Sequence, residues 1–587
     1  MSKGLRYQNN QQKTQKRQAG QKNLTRLQSS QRKRRRKIVR TTGFFAIIIA
    51  VLIIGGWQAR RLFPYPEIFA RLGIENWQVW AFHDYFGISP QTLTIVMDGE
   101  RVTGTLENPP FLTGSSNSEI YFPVEFLREF IDPFVFWDES ARSTFISTDT
   151  EVFRFQGETA LPLDFLQDKY SHVLLDFQPE YNVLVIANLE NPDIWRTAST
   201  RRTAVRYRPD NTAFIAAYIP ANSPLTAFNF AAASDFTRIR TASGLLGYVA
   251  TEDLSAAEPI FTAPQEIPHY SPRINLAWEM ITVMQANYVV MQNPLPLGLD
   301  VISPTWFNFD PNEPNGTLIS FASQDYVDWA HNSGVQVWAK VFDTNHDISQ
   351  TILTNYQARA HVIEQLLGFV DTYNLDGLNI DFEHLRTAVG RYYLQFLREI
   401  APPMRERGAV LSVATFVPAP WFSHYYHELV GRTVDFVAIM AYDEHYGGSP
   451  EPGPVASLPF VERFMSQTAA LIPPHKVLMG LPFYNRVWRV RADGSHTIAN
   501  YGMNFPQQLI AEWGVLPVWD DIIGSYFVEF STTEDDEPIT YKLWLEDERS
   551  IAAKLNIFER LNLGGVAGWR RGLETPGVWT EIYRVLR

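Results

Sequence analysis

Between residues 274 and 569 the sequence returns eight times to a short run of apolar, strand-forming residues, with helical patterns filling the gaps. The runs are 274–280 (INLAWEM), 300–307 (DVISPTWF), 335–342 (VQVWAKVF), 375–382 (LDGLNIDF), 410–417 (VLSVATFV), 434–443 (VDFVAIMAYD), 477–484 (VLMGLPFY) and 565–569 (GVAGW). Near-continuous apolar runs belong to parallel strands covered by helices on their faces. Eight of them in alternation with helices admit few architectures, and a closed (β/α)8 barrel is the simplest. Chemistry in that fold gathers at the C-terminal ends of the strands. The polar and aromatic residues at those ends are the candidates: Glu279, Trp306, Asp381, Glu383, Tyr442, Asp443, Tyr484 and Trp569. Residues 488–548 are too many for one crossover and read as a small inserted subdomain.

The fourth run carries the chemistry. In Leu375–His384, Leu378, Ile380 and Phe382 alternate with Asn379, Asp381 and Glu383. Alternation along a strand sends the amide and both carboxylates to one side. Two acids forced together keep one of them protonated near neutral pH. A protonated acid beside an ionised one suits glycosidic cleavage, in which one group protonates the leaving oxygen and the other stabilises positive charge. The alternative is a solvated strand end whose acids cap a helix.

The segment DGLNIDFE, Asp376 to Glu383, resembles the DxxDxDxE signature of glycoside hydrolase family 18. Asp376, Asp381 and Glu383 match it, and Asn379 stands where many chitinases have a second Asp. That variant is similar to bacterial spore and cell-wall N-acetylglucosaminidases. MAYDEH (440–445) matches the family's M-x-Y-D motif at the sixth strand. GLPFYNRVW (480–488) resembles the seventh-strand motif of the spore-lytic subgroup, and GGVAGWRRGLE (564–574) matches the last strand. The resemblance covers residues 271–587. It implies a retaining, substrate-assisted hydrolase of N-acetylglucosamine linkages in peptidoglycan, spore cortex or chitin, with no cofactor and no metal. Glu383 would be the general acid and base, Asp381 would orient the substrate's acetamide, and Tyr442 and Asp443 would hydrogen-bond it. Trp569 would form the floor under the sugar. Asp376, Tyr484, Trp306 and Glu279 complete the expected substrate-binding set. Asn379 removes one charge from the catalytic cluster, which predicts an altered pH optimum. A carbohydrate-binding or scaffold protein on the same barrel is the alternative from another functional class.

The remainder of the 587-residue chain sets the context. It has no cysteine, which removes disulfides, thiol nucleophiles and Cys-ligated zinc. His427-Glu428 begins a HExxH-like word whose fifth position is Gly431, so a zinc protease is not expected. Residues 1–40 hold 14 Lys and Arg and no acid, leaving 37 basic against 63 acidic residues beyond them. This basic tail is expected to be disordered and cytoplasmic. Contact with anionic lipid explains it more simply than nucleic acid does. Residues 41–58 are apolar and predict a single-pass signal anchor with the remainder of the chain outside a bacterial cell membrane, with a cleaved signal peptide as the competing reading. Residues 59–90 read as a stalk. Residues 91–192 read as an α+β domain, whose YFPVEFLREF and VFWD words resemble the small N-terminal domain of copper amine oxidases, without a copper site. Residues 199–256 read as a small all-β barrel resembling bacterial SH3-like domains, a candidate for contact with peptidoglycan. Proline-rich residues 257–272 read as a linker to the catalytic barrel, 273–587.

Overall fold

The computed structural model describes residues 93–260 and 273–587, apart from 103–105, 114–118, 149, 171, 180, 181, 190, 192, 214, 243, 244, 344, 345 and 384. These fall into two compact units. The first holds the described residues of 93–121 and 162–260, and the second those of 122–161 and 273–587.

In the first unit the word LTIVMDGERV forms the hairpin its Asp-Gly pair predicts. Strand Thr94–Met97 turns through Asp98 and Gly99, both at positive φ, into Glu100–Arg101. Thr94–Met97 also pairs in parallel with Val183–Asn188. Strands between Ile194 and Pro259 make a seven-stranded antiparallel sheet over Val205, Leu225, Ile239 and Val249.

In the second unit eight parallel strands close on themselves: β1 (Ile274–Glu279), β2 (Val301–Pro304), β3 (Gln336–Phe342), β4 (Gly377–Asp381), β5 (Val410–Phe416), β6 (Phe436–Met440), β7 (Val477–Pro482) and β8 (Gly565–Trp569). β1 pairs with both β2 and β8, and β2 with β3, so no edge is left in the ring. One set of side chains faces the helices, among them Leu378, Ile380 and Phe382. The other set fills the interior. There Ala414, Ala438 and Ala567 leave room for Trp278 and Trp338.

Three carboxylates tie strands together at the N-terminal end of the ring. Asp300, Asp376 and Asp435 stand just before β2, β4 and β6. Each accepts a hydrogen bond, 2.8 Å long, from a backbone N–H at the start of the preceding strand: Asn275, Val337 and Leu411.

Residues 122–161 belong to the barrel unit, so the stretch 91–192 is divided between the two units. The physical reason is a buried charge cluster. Arg359, on helix Tyr356–Tyr373, reaches Asp138 at 2.7 Å and Glu399 at 2.7 Å with its side chain fully enclosed. Arg398 stacks over Phe134, and Arg391 donates to the Pro133 carbonyl.

The inserted subdomain begins earlier than position 488. Its first strand, Tyr484–Arg491, leaves the end of β7 almost directly and joins a five-stranded antiparallel sheet ending at Leu545, with helix Phe505–Trp513 alongside. Asn485 clasps entry and exit together, its amide donating to the Glu546 carbonyl (3.0 Å) and accepting from the Glu546 N–H (2.7 Å).

The expectation of a single-pass membrane protein is corrected. Among the described residues no helix is long and apolar enough to cross a membrane. The longest, Tyr356–Tyr373, carries Arg359, Glu364 and Asp371 and packs one face on the barrel. Residues 41–58, on which that expectation rested, lie outside the described residues, as do the tail, the stalk and the core of the linker.

Candidate active site

β4 places Asn379 and Asp381 inside the ring, and the chain carries Glu383 just beyond the strand's end, into a cavity of about 650 Å³ at the C-terminal mouth. Glu383 shares that cavity with Trp278, Lys340, Tyr442, Asp443 and Trp569. Phe416 and Phe422, stacked at 4.3 Å, line one side, and Trp421 and Tyr446 stand more than half exposed at the rim.

Two groups fix the backbone at Glu383. Asp343, at the end of β3, accepts the Glu383 N–H at 3.1 Å and a bond from Ser349 Oγ at 2.7 Å. The Tyr425 hydroxyl bridges the turn, donating to the Phe382 carbonyl (3.1 Å) and accepting from the Leu385 N–H (3.2 Å). Burial, helped by the Asp381, Asp343 and Asp443 carboxylates, pushes the Glu383 carboxyl up to about 7 against the pull of Lys340. Glu383 is therefore far more protonated near neutral pH than an ordinary carboxyl, as a general acid must be.

Asp381 is paired inside the barrel. Lys340 rises from β3, level with Asn379 in the sheet, and its Nζ meets Asp381 Oδ2. Both side chains are almost wholly buried. The same ammonium lies 4.3 Å from the Trp569 ring centroid and 5.7 Å from that of Trp278. Asp381 Oδ1 has no hydrogen-bond partner among the described residues. Asn379 is held from both sides: its Oδ1 accepts from Trp278 Nε1 and its Nδ2 donates to Ser412 Oγ, each at 2.9 Å.

Tyr442 lies over Gly480 of β7. A Cβ at position 480 would sit 3.0 Å from the Tyr442 ring and 2.4 Å from the Ile439 carbonyl, so only glycine leaves this ring its place. Burial raises the Tyr442 phenol far above its ordinary value, with the nearby Tyr484, Asp381, Asp443 and Glu383 adding to the shift, so it keeps its proton at any working pH. Asp443 adopts a left-handed backbone (φ 58°), and its Oδ1 accepts from Tyr484 (2.6 Å) and Arg486 (2.8 Å). Tyr484 thus meets the cluster through its bond to Asp443. Trp569 ends β8 edge-on to Trp278, with ring centroids 5.8 Å apart, and the Trp569–Arg570 peptide is cis.

Three expected site residues stand apart from this cluster. Asp376 is at the opposite end of β4, where it accepts from Val337 N and contacts His331 Nε2 at 2.8 Å. Its place in the signature is explained by strand pairing and not by substrate. Glu279 is enclosed, with one oxygen paired to Arg571 and the other accepting from Tyr326 at 2.6 Å. Trp306 is fully buried, edge-on to Tyr326, and donates to Asn287 Oδ1 at 2.9 Å. These polar and aromatic groups at the ends of β1 and β2 are consumed in packing the loops that follow.

Lys340, Asp343, Tyr425, Trp278 and Trp421 are the site residues the sequence reading missed. A lone lysine inside the apolar run VQVWAKVFD was the available signal for Lys340, and the Asp that follows that run was the signal for Asp343.

The fold and the cluster at its mouth define a glycoside hydrolase barrel, and residues 286–574 match the family model "Glycosyl hydrolases family 18". Residues 286–574 thus carry a domain of that family. It is 31% identical over 240 residues to the "Putative sporulation-specific glycosylase YdhD" of Bacillus subtilis (strain 168), covering 40% of this chain and 56% of that protein. It is 26% identical over 242 residues to the cortical fragment-lytic enzyme of the same organism, covering 40% of this chain and 55% of that protein. The chain thus spans about half the length of these curated relatives. Among solved structures, the Bacillus cereus spore cortex-lytic enzyme SleL aligns with a TM-score of 0.46 at 20% identity, over 54% of this chain and 73% of that one.

Proposed function

We propose that this protein hydrolyses β-linked N-acetylglucosamine-containing glycans of the peptidoglycan type with retention at the anomeric carbon. The observation that carries the reading is Glu383: a carboxyl raised to about 7, backed by a buried carboxylate two residues earlier, in an aromatic-walled cavity. Glu383 protonates the glycosidic oxygen as the bond to the anomeric carbon breaks. The substrate's own acetamido oxygen forms the new bond to that carbon, giving an oxazolinium ion. Glu383, now ionised, takes a proton from the water that opens the ring. Asp381 stabilises the positive charge on the acetamido nitrogen. Tyr442 donates to the acetamido oxygen, Asp443 holds the ring's polar edge, and Trp569 supports its apolar face.

The relatives' names favour wall glycan over chitin, since one is a cortical fragment-lytic enzyme. The all-β stretch 199–256 and residues 91–192 serve in this reading as spacers facing the wall, the former in the manner of an SH3-like domain.

The test uses the full chain and its Glu383→Gln variant. Each is incubated with purified peptidoglycan and with chitin oligomers, and products are identified by mass spectrometry and anomer-resolved NMR. The expected result is release of reducing-end N-acetylglucosamine fragments, first as the β-anomer, by wild type alone. Release by neither protein, with binding to wall glycan retained, would replace this reading with a carbohydrate-binding role.

A further inference from the structure

A second cavity, of about 310 Å³, adjoins the main one and shares Trp569 and Asp443 with it. Tyr484, Arg486, Asn500, Tyr501 and Arg570 form its polar walls. A glycan whose reacting ring lies on Trp569 would carry its neighbouring ring toward this space.

The two arginines are not equivalent. Each nitrogen of Arg486 is engaged: it donates to Asn500 Oδ1 (3.0 Å), to the His445 carbonyl and to Asp443 Oδ1 (2.8 Å). Arg570 is half-buried, and its guanidinium has no hydrogen-bond or ion-pair partner among the described residues. Burial lowers its pKa from the ordinary value, although Glu279 and Glu574 act in the opposite direction. With no protein partner among the described residues, this guanidinium can turn its fork of donors to whatever occupies the cavity. Asp443 is the one carboxylate lining the cavity, and its Oδ1 is already claimed by Tyr484 and Arg486. A neutral sugar can accept single hydrogen bonds from such a fork through its hydroxyl or acetamido oxygens, whereas a carboxylate matches it in both charge and bidentate shape.

We propose that this cavity binds the carboxylate of an acid-bearing ring of a 2-acetamido glycan, the ring next to the one on Trp569, with Arg570 as its anchor. The inference rests on the proposed glycosidase reading and adds to it a preference for glycan with lactyl-ether acids over neutral chitin.

The test compares two glycans: wall strands freed of their peptides, so that the lactyl carboxylates are open, and the same strands with those carboxylates reduced to alcohols. Values of kcat/KM are measured for full-length wild type and Arg570→Gln, and Kd values for both in a Glu383→Gln background. Reduction is expected to lower the wild-type kcat/KM by roughly 10- to 100-fold, chiefly through KM. Arg570→Gln is expected to show a similar loss on the acid-bearing strands and no further loss when they are reduced, with Arg570→Lys recovering part of the difference. Equal wild-type values for the two glycans, or an equal penalty from Arg570→Gln on both, overturns the proposal. Should wild type cleave neither glycan, the glycosidase reading fails on its own, and the Kd ratios decide this inference separately. A preference for acid-bearing strands that vanishes with Arg570 supports it, and the absence of that preference refutes it.

Discussion

Replacing Glu383 by Gln should make the barrel more stable relative to wild type as the pH rises. The carboxyl ionises near 4.5 in an open chain and at about 7 in the fold. Between those values the folded state holds a proton that the unfolded state has released. The contribution is therefore fully present below 4.5 and is lost as pH rises through 7. At about 1.4 kcal/mol per pH unit, ionising this buried group costs the folded state about 3 kcal/mol above pH 7. Gln carries no such term. A barrel of this length unfolds with an entropy of roughly 0.7 kcal/mol per degree, so the gap corresponds to about 4 °C in Tm. Calorimetric scans of the full chain and of Glu383→Gln at pH 4.5, 6, 7 and 8 should show Tm values that separate steadily in the variant's favour. A gap that is constant with pH, or one that widens toward acid, would refute the assignment of the raised carboxyl to Glu383.

Lys340→Met should destabilise the barrel by about 3–5 kcal/mol, because it leaves Asp381 as an uncompensated buried charge. It should also move the alkaline limb of the pH–rate profile above 7, since Lys340 favours ionised Glu383; denaturant titration and a kcat/KM profile check the two effects. Asn379→Asp should move that limb in the same direction by adding a carboxylate beside Asp381, and an unchanged profile would show that position 379 is electrically silent. Asp376→Ala should cost about 1–3 kcal/mol of stability in denaturant while kcat on chitin oligomers stays within about twofold of wild type, because it frees Val337 N and lies at the end of the barrel away from Glu383.

The strands were legible because each is buried on both faces and announces itself as an apolar run. All eight run within or close to the expected limits, and the reacting cluster was legible where polar residues interrupted a run at its C-terminal end. Glu383, Tyr442, Asp443 and Trp569 all come together in the cavity for that reason. The same rule misfired at β1 and β2. A polar group at a strand end looks alike in one sequence whether it faces a cavity or, as with Glu279 and Trp306, is enclosed by the loop that follows. Asp376 was misplaced because a motif records order along the chain, and a strand of five residues separates its two ends by the height of the barrel. Lys340 was hidden because it belongs to an otherwise apolar run, and nothing local says that its ammonium will climb to a carboxylate on the next strand. The apolar segment 41–58 gave a membrane expectation from composition alone, and the described residues supply no spanning helix to support it.

Asp300, Asp376 and Asp435 have a consequence for how the ring assembles. Each reaches back across a single helical crossover, to a backbone group only 25, 39 or 24 residues earlier. Closing so short a loop costs little entropy, so each bond can form while the later strands are still emerging from the ribosome. The register of three neighbouring strand pairs is then settled in succession from the N-terminal side, and β8, which pairs with both β7 and β1, is the last strand to be placed. Because that early alignment is written at the floor, the loops at the mouth are released from guiding folding. They can lengthen, as the one after β7 has done to hold a whole subdomain, without putting the order of strands at risk.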